Sequence, residues 1–513
     1  MPDQVTILNP HGINKDISAY ELPDDKWSDG NNIQFDNERT SKVHGQQQVF
    51  GTPSVTPYWL LPYNTITTDY WIYPSLTKIY RVSTSGATTT HEDVTRTTGG
   101  DYSATADGGW NGGVLGGVAI VNNGVDAPQM MGTAASDFTA LSNWLASTTT
   151  KVIRPYKRFL VALDTTESAT RYPFRVRWSH PAEGGTVPTT WDAADATNDA
   201  GYVDLSQTNG FVIDSMSLGD VNIIYKEDSV WSMTYEGGQS IFGFRQVFND
   251  AGILGRDCVQ TFDNKHFVVS EDDVYIHNGQ TKESIVDSQI RDELFNSLHP
   301  DYKTRSFVAA DREKNEMWLC FPSTSSTGAA DKAYVWNWRN NSWSIRDLPD
   351  VSFVSWGVVD TVSTTDWSET GEWDTDTASW DSPLKPSLMF ASADNTKLYT
   401  LGSNQFDGVD FRAWVQKSDM SLGHTGVKSV SRIKPRITGT GPVDFYIGCE
   451  MLPNQGMTWR GPYTFTPGVH SEIAVRGTGT YIGVRVETTD DKEWRLENLE
   501  IHWKPQGMRG NGV

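Results

Sequence analysis

Apolar and polar residues alternate in this chain over stretches of a few residues, and they almost nowhere recur at helical spacing. From about residue 68 to 402 one unit keeps returning: a short apolar strand, a polar turn, then an alternating strand that carries an aromatic. Copies fall at 70–82, 118–124, 158–179, 221–233, 266–279, 316–338 and 387–401. Two period-2 strands parted by a few turn residues read as a hairpin. Small sheets of this kind cannot bury their faces singly, but a ring of them can. The pattern therefore predicts a degenerate β-propeller of six or seven blades, against the alternative of unrelated hairpins in β-sandwiches. The best helical stretch is 286–295, apolar at 286, 290 and 294, with Ser288 or Asp287 as caps.

The two ends differ from this middle. Residues 6–50 hold no apolar run, only strand-like fragments punctuated by turn formers, and predict an extended arm. After about residue 408, six alternating strands at 410–416, 430–437, 443–448, 473–476, 481–486 and 494–503 predict a small β-sandwich or barrel. The expected organisation is an arm over 1–50, a propeller over 51–407 with inserted loops, notably 361–386, and a C-terminal β-sandwich-like domain over 408–513.

Composition agrees. At 513 residues the chain exceeds one compact core. Its 20 Trp, with abundant Gly, Thr, Asn and Asp, describe an all-β protein. The net charge of −22 argues against gripping nucleic acid by charge. It suits a self-repelling surface, or one past which a polyanion slides. Residues 427–513 hold 11 Lys and Arg against 9 Asp and Glu, so the acid excess lies wholly in the preceding part. Cys258, Cys320 and Cys449 stand far apart in apolar contexts and read as buried free thiols in a reducing cytoplasm. The N-terminus lacks a basic-then-apolar signal region, so no Sec export is expected, and no apolar run reaches membrane-spanning length.

Recognisable chemistry is sparse. Phosphate-loop, dinucleotide, nucleophile-elbow and zincin motifs are absent, and the ten His are scattered singly without metal-ligand spacing. No catalytic, cofactor or metal residues are nominated. The run from Trp336 to Trp343 reads either as a sugar-binding aromatic platform or as cross-strand packing within a blade, and packing is the expectation. Trp367, Trp373 and Trp380 recur beside Asp or Ser in a short internal repeat. Repeated carboxylates there fit no calcium-loop spacing, so the three Trp are candidate partner contacts in an inserted loop. A glycosidase needs a defined carboxylate pair, and acids such as Glu271-Asp272-Asp273 are too numerous to single one out.

The arm carries a more specific signal. Its Gly12-Ile13-Asn14, Leu22-Pro23, Trp27-Ser28-Asp29-Gly30-Asn31-Asn32-Ile33-Gln34-Phe35 and Lys42-Val43-His44-Gly45 follow one another in fixed order. This opening resembles that of the tail hub or nozzle (tail tubular) proteins of short-tailed bacteriophages. The C-terminus, an alternating strand followed by Lys504-Pro505-Gln506-Gly507-Met508-Arg509-Gly510, is similar to theirs as well. The resemblance implies a structural virion protein of the viral tail, assembled in the host cytoplasm, with no enzymatic activity and no cofactor. It implies a homohexamer forming a tube with an acidic lumen, below a head-to-tail adaptor. Tail fibres or tailspikes and a needle or plug would be its neighbours, and genomic DNA would pass without specific binding. The arm is expected to order on a partner by strand addition, with Trp27 and Phe35 as anchors, or else to fold back onto its own propeller. A receptor- or glycan-binding propeller is the alternative function, and a glycan hydrolase a third.

Overall fold

The computed structural model describes residues 4–506 apart from 66–67, 86–87, 133–134, 136, 239, 360–385 and 453–454. Seven four-stranded antiparallel sheets follow one another in it. Six are plain meanders over 61–93, 111–140, 148–204, 212–248, 259–284 and 307–351. The seventh takes Phe353–Val358, Pro386–Ser392 and Lys397–Ser403, and is completed by Gly45–Gln48 from the other end of the chain. First strands of neighbouring sheets pack side by side from the second blade round to the first, and the first and second share a core, which makes the middle of the chain a seven-bladed β-propeller. Each of the seven units read from the sequence falls in its own blade.

Burial of both sheet faces explains the local sequences. Leu61 and Ile72 of the first blade pack on Ala119 and Val121 of the second. Leu163 of the third packs with Ile224 and Trp231 of the fourth, and Trp318 of the sixth with Phe390 of the seventh. A strand buried on both sides reads as a continuous apolar run rather than an alternation, as in Phe159–Glu167. The Trp336–Trp343 hairpin is blade packing: Trp343 is fully buried and donates its indole N–H to the Ile285 carbonyl at 3.0 Å.

A β-sandwich follows. One sheet runs Ile33–Asp36, Arg39–Lys42, Trp494–Pro505, Lys428–Gly439, Ile473–Gly479, with Gln4–Leu8 also paired to Trp494–Pro505. The other runs Asp29–Asn31, Ala413–Met420, Tyr481–Thr488, Val443–Glu450, Thr458–Phe465. Val415, Ile433, Phe445, Val484 and Ile501 fill the space between them.

Of the two courses open to the arm, it takes the second and folds back onto its own chain: every one of its strands pairs within it. Its first strands complete the sandwich and its last closes the propeller, so the boundary expected at residue 50 does not divide the fold. The helix is shorter than expected, Arg291–Ser297, although Val286, Ile290 and Leu294 are all buried. Neither Ser288 nor Asp287 caps it. Asp16 of the arm accepts the N–H groups of Arg291 (2.6 Å) and Asp292 (3.1 Å) instead, because a carboxylate brought in by tertiary structure satisfies a helix start as well as a local one. Cys258, Cys320 and Cys449 are buried and unpaired. No helix among the described residues is long and apolar enough to cross a membrane.

Candidate functional site

Three places concentrate polar chemistry. The first is the propeller axis. Segments entering the first strands bring Trp59, Trp110, Arg256, Asp257, Arg305 and Phe307 around a cavity of about 150 Å³. Beside it Arg154 of the third blade binds Asp214 of the fourth through two contacts of 2.8 Å. It also reaches Asp257, which leads into the fifth blade, at 2.6 Å. Asp257 returns its own N–H to Asp214 at 2.9 Å. Burial by itself would lower the Arg154 guanidinium, but Asp214 and Asp257 outweigh it and hold it above its ordinary value. Burial likewise pushes Asp257 up, and Arg154 and Arg256 bring it below the usual carboxylate range. Such a network is fully paired and ties three blades together.

The second is the junction of arm, propeller and sandwich. Ile13 and Asn32 donate backbone N–H groups to Trp343 (2.9 Å) and Ile345 (2.8 Å) of the sixth blade. Ser28 donates its N–H to Gln416 of the sandwich at 3.0 Å. The Asn32 amide donates to Asp347 at 2.9 Å and to the Arg412 carbonyl at 2.8 Å. Asn32 does this from φ 58°, a left-handed conformation that Asn tolerates better than most residues. Lys417, buried, closes the junction by donating to the carbonyls of Pro23 and Lys26, and burial lowers its ammonium to about 8.

The third is an open groove of about 670 Å³ on the outer side of the sandwich, lined by Tyr20, Trp459 and Tyr481 and by Gln416, Asp419 and Glu450. Burial, then the hydrogen bond to Glu450, push the Asp419 carboxyl above its ordinary value. Glu450 accepts the N–H groups of Gln455 (2.6 Å) and Gly456 (3.2 Å).

Trp27 and Phe35 are corrected as partner contacts. They are 0% and 2% exposed, inside the core shared by arm, propeller and sandwich, and the Trp27 indole donates to Thr40 at 3.0 Å. An apolar arm residue anchors whatever its arm lies on, and here that is its own chain. Trp367, Trp373 and Trp380 lie outside the described residues. Among the acids noted in sequence, Glu271 pairs with Lys303 and Asp273 with Arg291, as turn-stabilising ion pairs. Among the described residues, no group of three or more His, Cys, Asp and Glu is placed to hold a metal ion. Sequence reasoning missed the groove, because nothing local links positions 20, 419, 450, 459 and 481. It missed Arg154–Asp214–Asp257 for the same reason.

No family model and no curated protein matches this chain. Among solved structures it is similar to PorZ, an essential bacterial surface component of the type-IX secretion system of Porphyromonas gingivalis. That match has 10% identity over 73% of this chain and 43% of the other, with a TM-score of 0.38. It is also similar to the N-terminal domain of Nup159, at 11% identity over 71% of this chain and 95% of that one, TM-score 0.37. The chain thus spans less than half the length of PorZ. The seven-bladed ring rests on its own strand pairing.

Proposed function

We propose that this chain is a structural virion protein, the tail nozzle or hub of a short-tailed phage, working as a homo-oligomeric ring through which DNA is retained and ejected. The observation that carries the reading is the ordered set of arm residues from Gly12 to Gly45. These are the residues that stitch the propeller to the sandwich: Ile13, Trp27, Ser28, Asn32 and Phe35 each contact one or both. Resemblance in them is therefore resemblance in what holds the two domains together.

The charge supports the same reading. At −22 overall, the walls of a channel formed between copies repel a DNA backbone, so that DNA slides rather than adsorbs. In this role the protein has no catalytic task. An adaptor above, and fibres, tailspikes and a plug around it, are the partners that the resemblance implies.

The test is negative-stain electron microscopy with mass photometry on the whole chain at several concentrations. Closed rings of about six copies, as cyclic symmetry allows, are the expected result. A chain that stays monomeric at every concentration, and also when mixed with portal and adaptor proteins, overturns the proposal.

A further inference from the structure

The groove on the sandwich has features that folding alone does not require. Tyr20 belongs to the arm yet lies outside every strand, 56% exposed. It is held edge-on against Tyr481, with ring centroids 5.5 Å apart at 85°. Below it the sheet is cleared for an indole. Gly448 and Gly483 are register partners on adjacent strands. A Cβ on Gly448 would stand 3.1 Å from the Trp459 ring and 2.9 Å from Met457 Sδ, and one on Gly483 would stand 3.0 Å from the same indole. Glycine in a strand interior weakens the strand and marks a close approach. Two of them side by side let Trp459 lie across the sheet at the groove.

The polar groups are placed alongside. Gln416 gives its Oε1 to Arg485, at 3.0 Å from Nε and 2.8 Å from Nη2, which leaves its amide N–H groups as donors. Asp419 and Glu450 supply carboxyl oxygens at the same wall. The volume of about 670 Å³ is that of an ordinary small-molecule site.

From these walls we propose that the groove binds a neutral saccharide, a pyranose end or short oligosaccharide. A pyranose ring offers an apolar C–H face to an aromatic side chain, and vicinal hydroxyls that donate to carboxyl oxygens and accept from an amide. A cationic ligand is disfavoured because the Arg485 guanidinium already lies 4.4 Å from the Trp459 ring centre. An anionic one is disfavoured by Asp419 and Glu450. The proposal is independent of the nozzle reading, since a ring-forming protein with an empty groove and a monomer that binds sugar are distinct results.

The experiment is saturation-transfer NMR on the full chain. Probes are lactose, maltotriose, cellotriose and N,N′-diacetylchitobiose, followed by a printed glycan array, with choline chloride and inorganic phosphate as contrasting small ligands. At least one saccharide is expected to receive saturation through its C–H protons. Tyr20→Ala, at an exposed position, and Asp419→Asn, at φ 56° where Asn is at ease, should each weaken binding by about tenfold with unchanged thermal unfolding. Should Asp419→Asn fail to fold, Tyr20→Ala alone decides. The proposal is overturned if no saccharide binds, if binding is indifferent to both variants that fold, or if choline or phosphate displaces the sugar.

Discussion

Tyr225 sits between two histidines in the core of the fourth and fifth blades. His266 donates from Nε2 to the Ser217 carbonyl (3.0 Å), so its Nδ1 accepts from Tyr225 at 2.6 Å. His277 accepts the Gly279 N–H at Nδ1 (3.1 Å), so its Nε2 donates to Tyr225 at 2.6 Å. Every proton is assigned, and both rings are neutral. Burial lowers His266 to about 4 and His277 to about 3, the latter helped by its neighbour. The unfolded chain takes up these protons near pH 6.5, and the folded one does not. Stability is therefore intact above pH 6.5 and is lost as pH falls from there towards the folded values, by about 2 kcal/mol per histidine at pH 5.

Glu316 opposes this trend. Burial raises its carboxyl to about 7, so the folded chain binds a proton that the unfolded one, titrating near 4.5, does not, and stability rises as pH falls between those values. Urea unfolding from pH 8 to 5 should show a shallow net decline, and Glu316→Gln should steepen it. An unchanged slope in that variant refutes the assignment. At Gly252 an added Cβ would stand 1.7 Å from the Glu227 carbonyl oxygen. Gly252→Ala should lower stability by about 2–4 kcal/mol, read from the shift in the urea midpoint.

The arm is the element on which the rest depends. A strand from one end of the chain that completes a blade begun at the other makes opening of the ring conditional on breaking that ladder. Deleting residues 1–49 removes this closure and four sandwich strands together, so limited proteolysis should find neither domain protected. Trp27→Ala leaves a void at the junction and removes the indole donor to Thr40, whose hydroxyl keeps only its bond to the Pro10 carbonyl (3.1 Å). A loss of about 3–5 kcal/mol is expected from cavity formation, and a loss below 1 kcal/mol would mean that Trp27 holds nothing together. Asp16→Ala removes a cap supplied across 275 residues and should cost about 1 kcal/mol, seen as faster hydrogen exchange in Arg291–Ser297.

For the whole molecule, the acidic balance decides: a chain of net charge −22 gives a polyanion little net attraction. Gel-shift titration with duplex DNA at about 0.15 M salt should show no retained complex. A salt-sensitive complex would place a basic patch where the sliding-channel reading needs acid.

Much of this architecture was legible in order along the chain. Hairpins such as 221–233 and 266–279 announce blades because strand alternation and turn chemistry are local, and a four-stranded sheet has one economical way to bury both faces. Tryptophans such as Trp318 and Trp343 signalled packing for the same reason. What the sequence by itself determined, then, is an all-β chain of repeated hairpins with a distinct last domain, an acid excess and reduced thiols. Tertiary structure alone decided where the arm goes: its strands are short, and Leu8, Ile33 and Phe35 are buried only against edges and faces that the other domains supply, so their place depends on which edges those domains leave open. The same holds for Asp16 on a distant helix, Arg154 between two aspartates, and Tyr20 beside Trp459 and Tyr481. Each is a meeting of residues far apart in the chain, fixed by packing and by no local pattern.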